Sequence, residues 1–338
     1  MEEIVPMNKA IVLASRPPAG GRASLDNFAL HESEIGEPGP GQVLVRHEFL
    51  SLDPYMRARM DEARSYAASQ EIGKPMVGGT VGEVIASNNP RFAVGDKVVG
   101  MGGWQNYSLD DGAFLRKLDV PGVPIQAWLG ALGMPGVTAW FGVNGIIAPR
   151  AGETLVVSAA TGAVGSVVGQ LAKAAGARAV GIAGGAAKCA YAVEALGFDA
   201  CVDHRSETFE ADLKAAVPKG IDGLFENVGG KCFAACLRRL NDFSRIALCG
   251  AIASYQGEEP SSLPDLRLVL VRRVKLQGFI VTDHLDLWPQ ALNELAGLYL
   301  AGKLRWRETI AEGLEAAPKA FLDMLVGGNF GKQLVRLA

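Results

Sequence analysis

The run Leu155-Val-Val-Ser-Ala-Ala-Thr-Gly-Ala-Val-Gly-Ser166 joins an apolar, β-branched stretch to the pattern Ala160-x-Gly162-x-x-Gly165. A turn of this kind from strand into helix is a cradle for phosphate. Gly162 lets the backbone approach a pyrophosphate, Gly165 lets the helix pack close to the strand, and the helix N-terminus offers free N–H groups to the anion. Glycine-rich turns also occur where nothing binds, and Ala160 replaces the first glycine of the pattern. The flanks supply the missing context, since Val167, Val168, Leu171 and Ala172 form a helical apolar face after the turn. The segment reads as a dinucleotide site.

An NAD site usually ends its second strand in an Asp or Glu that accepts from the ribose 2′-hydroxyl. Here the second strand, Arg178-Ala-Val-Gly-Ile-Ala183, runs into Gly184-Gly-Ala-Ala-Lys188 with no acid. Small residues leave room for a 2′-phosphate and the Lys188 ammonium would pair with it, which favours NADP. The competing reading makes Lys188 a solvated residue in the first turn of a helix.

The elements that position these residues belong to a chain of 338 residues, long enough for two domains, with 49% hydrophobic content to fill two cores. The net charge of −3 and the absence of basic runs argue against nucleic acid or an anionic membrane as partner. No long uninterrupted apolar run appears and the N-terminal Met-Glu-Glu-Ile lacks the basic start of a signal peptide, so a cytoplasmic location is expected. The five cysteines, Cys189, Cys201, Cys232, Cys236 and Cys249, have no CxxC spacing and read as core residues rather than disulfides or metal ligands.

From about Lys9 to Tyr107, short alternating segments such as Gln42-Val-Leu-Val-Arg-His47 are broken by turn residues, predicting a mostly β, partly closed barrel. Between Ile125 and Ile147, helical spacing interrupted by Met134-Pro-Gly-Val-Thr138 predicts two helices meeting at a turn. Strands are then predicted over 155–160, 178–183, 199–203, 221–226, 244–249 and 274–281, with amphipathic segments mostly between them. That alternation makes an α/β fold with a doubly wound parallel sheet. The last forty residues read as strand, helix, strand and are expected to return to the first domain. Ligands of open α/β sheets bind outside the carboxyl ends of the strands. Asn227, Gly250 to Tyr255 and Phe279 to Val281 fall there, each with the alternative of an ordinary turn or loop role.

Several segments carry a resemblance: Leu52-Asp-Pro-Tyr-Met-Arg57, Gly133-Met-Pro-Gly-Val-Thr-Ala139, Ala159 to Gly169, Gly197-Phe-Asp199, Phe225-Glu-Asn-Val-Gly-Gly230, Cys249 to Tyr255, Gly278-Phe-Ile280, Glu312-Gly-Leu314 and Asn329-Phe-Gly-Lys332. In order and nearly end to end, they resemble the zinc-independent medium-chain dehydrogenase/reductases. The match is to the branch with leukotriene B4 12-hydroxydehydrogenase/prostaglandin reductase, plant alkenal double-bond reductases and bacterial curcumin reductase. The resemblance implies a GroES-like catalytic domain over 1–125, completed by 301–338, and a Rossmann NADP-binding domain over 126–300. It implies a homodimer and NADPH-dependent reduction of the carbon–carbon double bond of a small apolar enone or enal. By position it assigns cofactor contacts to Thr138, Thr161, Gly162, Ala163, Val164, Gly165, Gly184, Lys188, His204, Asn227, Cys249, Gly250, Ile252, Tyr255, Phe279, Val281 and Asn329. The chain departs from many relatives at Gly185-Ala-Ala187, where they have Ser-Asp-Glu, and at His204, where they have tyrosine. His204 can still stack or donate beside Arg205, or be an exposed loop residue.

Conjugate reduction needs a hydride at Cβ, stabilisation of the enolate and a proton for Cα, of which the cofactor supplies only the first. Zinc as Lewis acid is disfavoured because the first domain has no cysteine and His31 and His47 lie in strand-like contexts. A tyrosine hydroxyl, protonated at neutral pH, can meet the enolate oxygen. Tyr255 is the expected donor, with Tyr55 polarising the substrate and solvent giving the proton. Trp104, Tyr107 and Met134 are either a substrate wall or ordinary core. The alternatives are a quinone oxidoreductase and a catalytically idle NADPH-binding protein.

Overall fold

Short β-branched runs separated by turn residues fold, in the computed structural model, into β1 (Met7–Leu13), β2 (Phe28–Glu34), β3 (Val43–Ser51), the short helix α1 (Tyr55–Arg59), β4 (Thr80–Ser87), β5 (Lys97–Gly100), β6 (Tyr107–Asp110) and β7 (Arg116–Lys117). The structure describes residues 7–18, 20–62, 65–118, 120–256 and 266–337, so the N-terminal Met-Glu-Glu-Ile lies outside the described residues. Antiparallel pairing joins β1 to β2 and carries β3 through β4 and β5 to β7, with β6 also on β3. Val43, Val45, Val84, Phe92, Val98 and Leu115 form the core between these strands.

The segment expected as a turn at Met134–Thr138 is instead the start of helix α2 (Met134–Phe141). Pro135 sits in the first turn, where its missing N–H costs nothing. A Cβ on Gly136 would collide with the Ala131 carbonyl, which explains the glycine without invoking a break. There follow β8 (Thr154–Ser158), α3 (Gly165–Ala174), β9 (Arg178–Ala183), α4 (Ala186–Glu194), β10 (Ala200–Asp203), α5 (Phe209–Ala216), β11 (Ile221–Glu226), α6 (Gly230–Leu237), β12 (Leu240–Leu248), α7 (Leu266–Val271), β13 (Lys275–Gly278) and α8 (Trp288–Leu300).

The six strands lie in the order β10-β9-β8-β11-β12-β13 and pair in parallel. This is the doubly wound order in which chain direction across the sheet reverses between the first and fourth strands, here β8 and β11. Helices on the faces leave β8 entirely buried, and Val156, Val180, Ile182, Leu213, Leu224 and Ile246 lie in one core. Helix α3 approaches the sheet closely because Gly169 has no side chain, a Cβ there colliding with the Phe198 ring.

The chain ends as β14 (Glu308–Glu312), α9 (Ala317–Leu325) and β15 (Lys332–Arg336), with β15 antiparallel to β3 through Leu334 opposite Ser51. Helix α9 contributes Phe321, whose ring meets Trp104 edge-on at 5.5 Å, while Trp104 stacks on Phe28 at 5.6 Å. Trp104 is fully buried in this aromatic core, so of its two readings the core one holds. Contacts divide the described residues into two units, one holding those up to Leu129, Glu308–Asn329 and those from Gln333, the other Gly130–Arg307 with Phe330–Lys332. Among the described residues no helix is long and apolar enough to cross a membrane.

His47 on β3 is buried, with Nε2 2.9 Å from Ser108 Oγ and no partner for Nδ1 among the described residues. Burial pushes its pKa down from 6.5 to about 3. The unfolded chain therefore takes up a proton that the native state refuses. The neutral ring supports the fold fully above pH 6.5, and that support drains away as pH falls from 6.5 toward 3. At about 1.4 kcal/mol per pH unit, denaturant titrations should show roughly 3 kcal/mol lost by pH 4. His47→Gln should make that loss visibly shallower, and an unchanged slope would mean another group controls it.

Candidate active site

Strand β8 ends at Ser158, and the next residue, Ala159, takes a left-handed backbone at φ +52°. This reverses the chain so that Gly162 N–H donates to Ala159 O at 2.9 Å. A Cβ on Gly162 would stand 3.2 Å from that carbonyl, and one on Gly165 would collide with it. The glycine spacing is therefore the spacing of one crowded oxygen. Thr161 is buried beneath the turn. Among the described residues, the N–H groups of Ala163, Val164 and Gly165 have no acceptor. Unpaired donors at the start of a ten-residue helix suit an anion, so the turn fits a dinucleotide pyrophosphate.

A second corner forms where β9 ends. Gly184 and Gly185 follow the strand, Gly185 at φ +96° opening α4, which presents Lys188. Asp203, last in β10, accepts from Gly185 N at 2.8 Å and Arg205 N at 2.9 Å, tying the two loops together. These backbone donors hold its carboxyl below the ordinary aspartate range. His204 and Arg205 then fold over Gly184, where a Cβ would lie 3.0 Å from both His204 Nε2 and Arg205 Nε. Burial, then the Arg205 charge, lowers the Lys188 pKa. His204 is lowered by burial first and then by Lys231 and Arg205. Lys188, Arg205 and Lys231 thus make the surroundings of His204 positive, and Gly184 leaves room for the His204 and Arg205 side chains.

On the other side of β8 from β9, β11 ends in Glu226 and hands on to Asn227. The parallel register pairs Val157 with Phe225 and so sets Ser158 beside Glu226, both fully buried. Glu226 Oε1 accepts from Val228 N at 2.6 Å, Gly229 N at 2.7 Å and Ser158 Oγ at 2.9 Å. Asn227 N donates to Ser158 Oγ and Asn227 Nδ2 to Ser158 O, each at 2.8 Å. After β12, Cys249 N and Gly250 N donate to the Glu226 carbonyl, and Ile252 N donates to the Asn227 carbonyl. Burial, with Glu226 second, pushes the Cys249 thiol up to about 12.

Tyr255 closes this corner. A Cβ on Gly250 would lie 3.7 Å from the Tyr255 hydroxyl and 3.2 Å from Asn227 O, so the phenol rests over Gly250 beside Asn227. Burial raises its pKa, and a hydrogen bond with the Ala251 backbone opposes the rise. Phe279 packs against Phe141 of α2 at 5.4 Å and against Phe225 at 6.1 Å, and His284 stacks on Phe141 at 4.1 Å. The Val281 carbonyl accepts from Trp288 Nε1 at 3.2 Å, and buried Thr138 spends its hydroxyl on Met134 O at 2.8 Å.

The remaining expected residues lie in the first unit. Tyr55 opens α1 after Pro54, its pKa raised by burial and then by the Asp53 carboxylate. Asp53 accepts from Ser51 Oγ. Asn329 is half-buried between α9 and β15. Sequence reading missed Ser158 and Glu226; its one available signal was a carboxylate closing an apolar strand. Among the described residues no group of three or more His, Cys, Asp or Glu is arranged to hold a metal ion.

Comparison with known proteins bears on this geometry. Residues 9–118 match the family described as N-terminal domain of oxidoreductase, and residues 163–297 match the one described as zinc-binding dehydrogenase. The chain is 48% identical to the NADPH-dependent curcumin reductase of Escherichia coli, covering 98% of this chain and 97% of the relative. It is 40% identical to the NADP-dependent 2-alkenal reductase of Nicotiana tabacum over 89% of this chain and 88% of that protein. The crystal structure of CurA in complex with NADPH from Vibrio vulnificus superposes with a TM-score of 0.93 at 44% identity, covering 98% of this chain and 99% of that one.

Proposed function

We propose, for a chain that belongs to the zinc-independent medium-chain dehydrogenase/reductases and is an NADP-dependent oxidoreductase of enone or alkenal double bonds, how its residues carry out the reaction. NADPH supplies the hydride that goes to Cβ of an α,β-unsaturated ketone or aldehyde. The Thr161–Gly165 turn holds the pyrophosphate with the first N–H groups of α3. Lys188 and Arg205, with His204, hold the 2′-phosphate at the corner left open by Gly184. Thr138, Asn227, Cys249, Gly250, Ile252, Phe279, Val281 and Asn329 meet the nicotinamide-ribose half and its phosphates. Charge at the enolate oxygen is met by the Tyr255 O–H, and solvent delivers the Cα proton.

The observation that carries this reading is the Tyr255 phenol, seated over Gly250 beside Asn227 and kept protonated by burial. A fixed neutral donor stabilises a developing oxyanion without a metal. Tyr55, its proton also held tightly, polarises the substrate carbonyl. The first 129 residues contain no cysteine, which supports a mechanism without zinc. Five free thiols suit a reducing compartment, and we place the protein in the cytoplasm. We place a homodimer contact at β13, the last strand of its sheet, beside exposed Phe243, Leu270, Val271 and Leu276.

Loss of NADPH absorbance with enones and enals, unaffected by chelator and giving a product two hydrogens heavier with its carbonyl intact, is the expected assay result. Tyr255→Phe should lower turnover about 10²–10³-fold. Turnover of quinones alone would favour a quinone oxidoreductase, and NADPH binding without any turnover an idle binding protein. Lys188→Ala should weaken NADPH about ten- to a hundredfold in binding titrations while leaving NADH nearly unchanged, with Arg205→Ala acting in the same sense. Equal losses for both cofactors would remove the 2′-phosphate assignment. Light scattering should give a dimer that Leu276→Glu dissociates, and a monomeric parent would end the homodimer proposal.

A further inference from the structure

We propose that Glu226 and Ser158 are positioning residues that lock Asn227 to the phosphate turn, so that both halves of the dinucleotide are met by one rigid unit. The inference rests on the reading that Asn227 contacts the nicotinamide-ribose half.

The argument is one of hydrogen-bond direction. Glu226 Oε1 already receives the Val228 and Gly229 N–H groups and so is an acceptor, and the Ser158 hydroxyl spends its single hydrogen on it. The Ser158 oxygen is then left as acceptor, and the Asn227 N–H fills it. The Asn227 side chain turns its Nδ2 inward onto Ser158 O. With the amide nitrogen so engaged, Oδ1 is the end presented outward, an acceptor suited to a ribose hydroxyl. The same Ser158 carbonyl directly precedes Ala159, whose left-handed backbone starts the phosphate turn. One side chain therefore braces the strained residue of the turn while presenting a ligand atom.

Glu226 anchors the set. Its Oε1 also takes the Val228 and Gly229 N–H groups, which fixes the loop on the far side of Asn227. Its Oε2 is buried with no partner among the described residues, so the hydrogen bonding of this carboxylate is concentrated on the oxygen that serves the relay. A purely structural cluster would satisfy its own groups and stop there. This one ends on the residue assigned to the cofactor.

The test is a double-mutant cycle read by calorimetric NADPH titration, with thermal unfolding of the cofactor-free protein alongside. Ser158→Ala should raise the NADPH dissociation constant about tenfold in the parent but less than about twofold in an Asn227→Ala background. Equal losses in both backgrounds, or none in the parent, would overturn the relay. If Asn227→Ala itself bound NADPH as tightly as the parent, the assignment of Asn227 would fall first, and the relay with it. Should Ser158→Ala not fold, Ser158→Cys serves instead, close in size but a weak donor and acceptor.

Discussion

The Ala159 carbonyl is the point on which the cofactor half of the molecule turns. A non-glycine residue in the left-handed region costs about 1–2 kcal/mol, and here that cost brings the chain back over its own strand end. The returning chain then has no room for side chains at Gly162 and Gly165. The first helical N–H groups are left facing outward. The order of cause runs from strain to glycine to anion site, and the hydrogen bond from Asn227 to Ser158 O holds the strained residue from behind.

Charge is distributed to match. At the end of β9, Asp203 is turned onto backbone N–H groups, while the Arg205 and His204 side chains lie over Gly184. At the end of β11, the buried Glu226 side chain instead accepts from two backbone N–H groups and the Ser158 hydroxyl.

Much of this was legible in the sequence because it is local. Apolar runs marked the parallel strands, the Ala160-x-Gly162-x-x-Gly165 spacing marked the turn, and a strand end without an acid pointed to Lys188. What escaped depends on partners distant in the chain. Ser158 and Glu226 become neighbours only through the pairing of β8 with β11. Trp104 needs Phe28 and Phe321 to become core. Met134-Pro-Gly looks like a break until the close approach of the Ala131 carbonyl gives Gly136 a packing reason. Gly184, read as space for a phosphate, is also the floor on which Arg205 and His204 lie.

An α,β-unsaturated carbonyl is a soft electrophile, and its natural side reaction in a protein is alkylation of sulfur. Only the thiolate attacks at a useful rate. Cys249 lies beside the corner closed by Tyr255, yet burial pushes its thiol up to about 12, well above neutral pH. The burial that shapes this corner therefore also keeps the Cys249 thiol in its unreactive, protonated form.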